Sequence, residues 1–191
     1  MAILSKKKKI NGLRLDELNA CIGDLEKDAE MGKYKFHAIT KWVKGAHCET
    51  VLKDFIAAGK ADNSRYRTHI IQADEPTTML GKDKGPNATE ALLGALGSCL
   101  TVSFIFQAAA QNIKIDSLEF DMEGQLDLRG FAGVDKTVRN GFESICVVCR
   151  VEADTPRKKL EELCHAAQDR SPVFDMITHP TPVYIKLETI E

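Results

Sequence analysis

Neither sign of charge is in excess in this 191-residue chain: 26 Lys and Arg stand against 28 Asp and Glu, a formal net charge of −2. A surface without surplus positive charge has little grip on a phosphate backbone, so nucleic acid is not an expected partner. The one basic run, Lys6 to Lys9, has no amphipathic aromatic partner and reads as a solvated tail. No secretory hydrophobic region follows Met1, and six cysteines (Cys21, Cys48, Cys99, Cys146, Cys149, Cys164) spread over this length make no small disulfide framework. Free thiols in a reducing cytoplasm are the expectation. Phosphate-binding and dinucleotide-binding glycine fingerprints are missing, as is any internal repeat, and no two of the five histidines stand at ligand spacing on one helix face. Neither a metal nor a cofactor is expected.

What is present is 43% hydrophobic and 28% charged, enough for one substantial core. Leu13, Leu18, Cys21, Ile22, Leu25 and Ala29 recur at helical spacing, which sets residues 1–31 apart as a tail and helical extension before a domain over 32–191. From Tyr34 to Trp42 the pattern alternates as in a strand and breaks at Gly45; further extended stretches cover Val51–Phe55 and Tyr66–Ala73. A turn-rich Gly81–Pro86 follows, and then Asn87 and Glu90 in capping-box relation open a run, Ala91 to Ile113, without a charged residue. A run of that length is a membrane span or a helix buried on all sides. Gly94, Gly97, Ser98, Thr101, Ser103 and Gln107 lower its transfer free energy, so burial is the reading, and no membrane partner is expected.

Downstream, Leu118, Phe120, Met122, Leu126 and Leu128 alternate with polar residues, and Ile145, Val147, Cys149 and Val151 predict an antiparallel neighbour strand. Cys146 and Cys149 have zinc-pair spacing, but three apart on a strand they face opposite sides, so no site is assigned. Thr155-Pro156 predicts a helix start with Leu160, Leu163, Cys164 and Ala167 as its apolar stripe. Ser171-Pro172 caps a short turn, and Val183, Ile185 and Leu187 predict a last half-buried strand. The class is α+β, with antiparallel sheets wrapped around a long buried central helix.

Cys99 stands in the middle of that helix and is inert if only buried; as a nucleophile it needs a positive neighbour to favour the thiolate. The stretch from Leu80-Gly81-Lys82-Asp83-Lys84-Gly85-Pro86-Asn87 through Leu96-Gly97-Ser98-Cys99-Leu100 resembles the signature of the OsmC/Ohr family, the osmotically inducible and organic hydroperoxide resistance proteins. Asp74-Glu75-Pro76, Leu128-Arg129-Gly130, Gly141-Phe142 and Ser171-Pro172-Val173-Phe174-Asp175 extend the resemblance to an OsmC-like branch, over about Lys33 to Glu191.

The resemblance implies an intertwined homodimer with active sites at the subunit interface. It further implies reduction of an organic hydroperoxide by Cys99 as thiolate, with an external dithiol as reductant. The family's second cysteine corresponds to Ser171, which leaves Cys164 or an external thiol to resolve the oxidised sulfur. Its supporting carboxylate corresponds to Thr89, Glu90 being half a turn away from Cys99 around the helix. Its arginine falls at Val43 or Met79, which leaves Arg65 or Arg67 as candidates for stabilising the thiolate, with Lys44 and His47 behind them. The alternative is a catalytically silent relative that binds a small apolar ligand at the dimer interface.

Overall fold

The computed structural model describes residues 9–189; most of the basic run, Lys6 to Lys8, lies outside them. The chain forms two compact units that meet in sequence at Gly94 and Ala95, inside its longest helix.

In the first unit, Lys9–Ile10 (β1) and Leu13–Arg14 (β2) pair across Asn11-Gly12, both at positive φ as a tight hairpin turn requires. The amphipathic helix Leu15–Lys27 (α1) follows, as its spacing predicts, then a 3₁₀ turn over Ala29–Gly32 in which the Asp28 side chain accepts the Glu30 amide. Tyr34–Lys44 (β3) and His47–Ala57 (β4) form a long antiparallel pair. Lys60–Asp62 (β5), reached through the positive-φ pair Ala58-Gly59, and His69–Ala73 (β6) both pair with β4, at its two ends. β3 is an edge strand exposed along its whole length, with Phe36 68% and Trp42 75% exposed. That is apolar surface a lone sheet has no reason to carry.

The loop before the long helix is built around Asp74, 3% exposed. Its carboxylate accepts the amides of Glu75 (2.9 Å), Lys82 (3.1 Å) and Lys84 (3.4 Å). Burial pushes this carboxyl up, but the three amides and nearby His47 outweigh it and hold it below the ordinary range. A Cβ on Gly81 would sit 1.7 Å from the Glu75 carbonyl oxygen and one on Gly85 2.2 Å from that of Gln72, so only glycine fits either place. Ala88–Ala110 (α2) then starts on the predicted capping box: the Asn87 amide donates to Glu90 Oε2 and the Glu90 amide to Asn87 Oδ1, both at 2.9 Å.

The second unit holds the rest of α2 against Ser117–Gln125 (β7) and Ser144–Glu152 (β8), an antiparallel pair in which Phe120 lies opposite Cys149. A one-turn helix, Leu128–Phe131 (α3), lies between them, so Leu126 and Leu128 leave the strand their alternation predicts. Arg157–Asp169 (α4) and Pro172–Thr178 (α5) complete the unit. Its core is Phe104, Ala108, Leu163 and Ala167, flanked by Leu118, Phe120, Cys149, Val151 and Cys164. Phe104 meets the Phe120 ring edge-on at 6.3 Å. Gly97 lets the end of the Met122 side chain lie against the helix backbone.

Two expectations are corrected. By length and composition α2 could cross a bilayer, and its Leu96, Leu100, Phe104 and Ala108 face is core. The helix is not buried on all sides, however: Leu92, Val102 (55% exposed) and Phe106 (41%) face outward. Val183, Ile185 and Leu187 form no strand among the described residues and are at least 80% exposed, because alternation without a neighbour to take the backbone hydrogen bonds makes no ladder.

Candidate active site

Cys99 lies about three turns into α2, half-buried, on the border between its core face and its open face. It lines a cleft of about 260 Å³ with Val102, Ser103, Phe106 and Gln107 from the next two turns, and with Arg170 and Pro172 from the α4–α5 junction. The wall from the helix is largely apolar and suits an organic group. The facing wall supplies a cation.

That cation is held in place by the way the chain turns. Arg170 closes α4, its amide bonded to the carbonyls of Ala166 and Gln168, and Ser171 opens α5, its Oγ accepting the Phe174 amide at 3.2 Å. Pro172 at the first helical position fixes the new direction. The junction is therefore a stiff corner, and among the described residues no carboxylate or carbonyl pairs with the Arg170 guanidinium. Ser171, between two lining residues of the cleft, is 1% exposed with its hydroxyl engaged as a helix cap.

Cys164 is elsewhere. It points from α4 toward β8, where it and Cys149 pack against the same core and line a separate cleft of about 470 Å³. Burial first, and the neighbouring Cys164 behind it, push the Cys149 thiol up to about 12. Cys146, three residues before Cys149, is exposed on the other face of the strand, as period-two geometry requires.

The candidates from the first unit are occupied within their own sheet. Arg65 donates to the Lys53 carbonyl at 3.1 Å and stacks over Phe55 at 5.0 Å; Arg67 lies 5.9 Å from the Tyr66 ring. His47 Nε2 lies 2.5 Å from Gln72 Oε1, and Gln72 Nε2 donates to Glu49 at 2.7 Å, while His47 Nδ1 is buried without a partner among the described residues. Thr89 donates to Asn87 Oδ1 and Glu90 is used by the helix cap.

Arg170 is the residue that reading the sequence missed. The signal was present, since Arg170 directly precedes the Ser171-Pro172 corner, but nothing in a linear pattern says that this corner packs beside the turn of α2 that carries Cys99. Among the described residues no cluster of three or more His, Cys, Asp or Glu could hold a metal ion.

Residues 81–186 match the family model described as OsmC-like protein. Among solved structures, the chain is similar to an OsmC-like protein from Mycoplasma pneumoniae, at 16% identity and a TM-score of 0.57 over 76% of this chain and 89% of that one. It is also similar to an organic hydroperoxide resistance protein OsmC from Legionella pneumophila, at 14% identity and a TM-score of 0.52 over 75% and 88%. No curated protein matches it.

Proposed function

Because this chain belongs to the OsmC-like family, we propose that it reduces organic hydroperoxides, with Cys99 as the attacking sulfur, Arg170 as the cation that favours it, and an external dithiol as reductant. The observation that carries the reading is that Arg170, whose guanidinium pairs with no carboxylate or carbonyl among the described residues, lines the same cleft as Cys99, with Val102 and Phe106 as its apolar wall. A sulfur in such a place has what a peroxide-reducing thiolate needs: a positive neighbour and a pocket for the organic group.

The Cys99 thiolate attacks the O–O bond, takes one oxygen and expels an alkoxide, which leaves as the alcohol once protonated. Cys99 is then a sulfenic acid. Ser171, at the position of the family's second cysteine, cannot form a disulfide. The first thiol of a small dithiol therefore enters the cleft, forms a mixed disulfide with Cys99 and releases water; its second thiol displaces Cys99 as thiolate. We further propose one OsmC-like domain over 32–191, with residues 1–31 as its extension, working as a homodimer. The outward apolar residues of β3 in the first unit, and separately those of α2 in the second, are surfaces a second copy would cover.

One equivalent of cumene hydroperoxide followed by a sulfenic-acid trap tests the reading. Expected is a single trapped sulfur at Cys99 and recovery of the thiol with a dithiol. An unreacted Cys99 in protein that still binds the corresponding alcohol would identify a ligand-binding relative instead.

A further inference from the structure

The pair formed by Cys149 and Cys164 takes no part in the cycle above. The two thiols come from different elements, β8 and α4, yet pack against the same core cluster and line one cleft. That arrangement exceeds what packing asks of two small apolar side chains. The cleft is also accessible: Arg157 and Glu161 stand at its edge, paired with each other at 2.9 Å, and Arg150 is bound to Glu119 and Asp121 across the β7–β8 face. Its cations are thus spent on carboxylates, unlike that of the Cys99 cleft, and its sulfurs are the slower pair to react.

We propose that Cys149 and Cys164 are a second redox-active dithiol, closed by excess organic hydroperoxide into an intramolecular disulfide that ties β8 to α4, independently of Cys99. Cys164 attacks the peroxide bond and becomes a sulfenic acid, and the organic fragment leaves as an alcohol. The Cys149 sulfur then displaces hydroxide from Cys164 Sγ, and the proton carried by Cys149 departs with it as water. Two thiols and one hydroperoxide give one disulfide, one alcohol and one water, with two electrons passing from sulfur to oxygen.

The test uses the full chain carrying Cys99→Ser, so that its outcome does not depend on the role proposed for Cys99. The variant is exposed to a tenfold excess of cumene hydroperoxide, free thiols are alkylated under denaturing conditions, and the digest is mapped by mass spectrometry. Expected is a linked pair of peptides joining Cys149 to Cys164, lost on treatment with dithiothreitol, while Cys21, Cys48 and Cys146 remain alkylated. Full alkylation of Cys149 and Cys164, or stable oxygen adducts on either without a link, overturns the proposal. Cys149→Ser in the same background should convert the link into an oxygen adduct on Cys164. If that variant does not fold, crosslinking of the Cys99→Ser protein by diamide, which oxidises adjacent thiols without peroxide, replaces it: a Cys149–Cys164 link supports the proposal and its absence refutes it.

Discussion

The second unit carries two sulfur sites built in opposite ways. Among the described residues, the cleft of Cys99 is lined by a cation without a carboxylate partner and by no second cysteine; Cys149 and Cys164 line one cleft together, and the arginines around them are bound to acids. A single-cysteine site next to a free charge is made for fast attack and needs outside help to recover. A dithiol without a free charge is slow to attack and recovers through its own partner. On the proposed roles, the chain separates two capacities that a peroxide-reducing dithiol usually joins.

The sharpest way to break this contrast is to remove the charge from the Cys99 cleft. Arg170→Met should slow hydroperoxide reduction by about ten- to a hundredfold, the value of one charge-assisted contact to a developing anion. Arg170→Lys should recover part of the loss. Because Arg170 is exposed, thermal unfolding of both variants should stay close to that of the parent. Peroxide consumption at saturating dithiol measures the effect, and a wild-type rate in Arg170→Met would move the cation elsewhere.

A smaller effect is expected from restoring a second sulfur beside Cys99. Ser171 is buried beside the cleft, so Ser171→Cys changes volume little, but it weakens the cap of α5, which costs about 1 kcal/mol. After one equivalent of hydroperoxide, Cys99 should then be found in a disulfide with the new sulfur rather than as a trapped sulfenic acid. Persistence of the trapped form would show that the corner holds position 171 out of reach.

What could be read from the sequence and what could not follows the range of the forces involved. The capping box at Asn87 and Glu90, the strand pattern around Phe120 and Cys149, and the stripe of Leu160, Leu163, Cys164 and Ala167 are local periodicities, and each appears where its spacing puts it. The partner of Cys164 was not legible. The stripe shows that this sulfur turns inward, but whether it meets α2 or β8 depends on how α4 is laid across the sheet. Arg170 escaped for the same reason, while Arg65 drew attention by residue type alone and is engaged within its own sheet. The C-terminal alternation at Val183, Ile185 and Leu187 failed in the opposite sense: the local pattern is sound, but a strand also needs a neighbour.

The smallest effect probes the dithiol in its reduced state. Cys149 is held at about 12, above the ordinary value of 9.0 for a thiol, so the folded protein keeps a proton that the unfolded chain gives up more readily. Below about pH 9 both states are protonated and this contribution is fully present; it is lost as pH rises toward about 12, so stability falls over that window. Partial solvent exposure screens the effect to on the order of 1 kcal/mol. Urea unfolding midpoints between about pH 8 and pH 11 should fall more steeply in the parent than in Cys149→Val, which fills similar volume without a titratable group. Equal slopes would mean that Cys149 ionises as freely folded as unfolded. In protein whose Cys149 and Cys164 are joined, the same slope should flatten without any substitution, because a disulfide has no proton to lose. Agreement between the oxidised parent and reduced Cys149→Val would trace the alkaline sensitivity to this one pair of sulfurs.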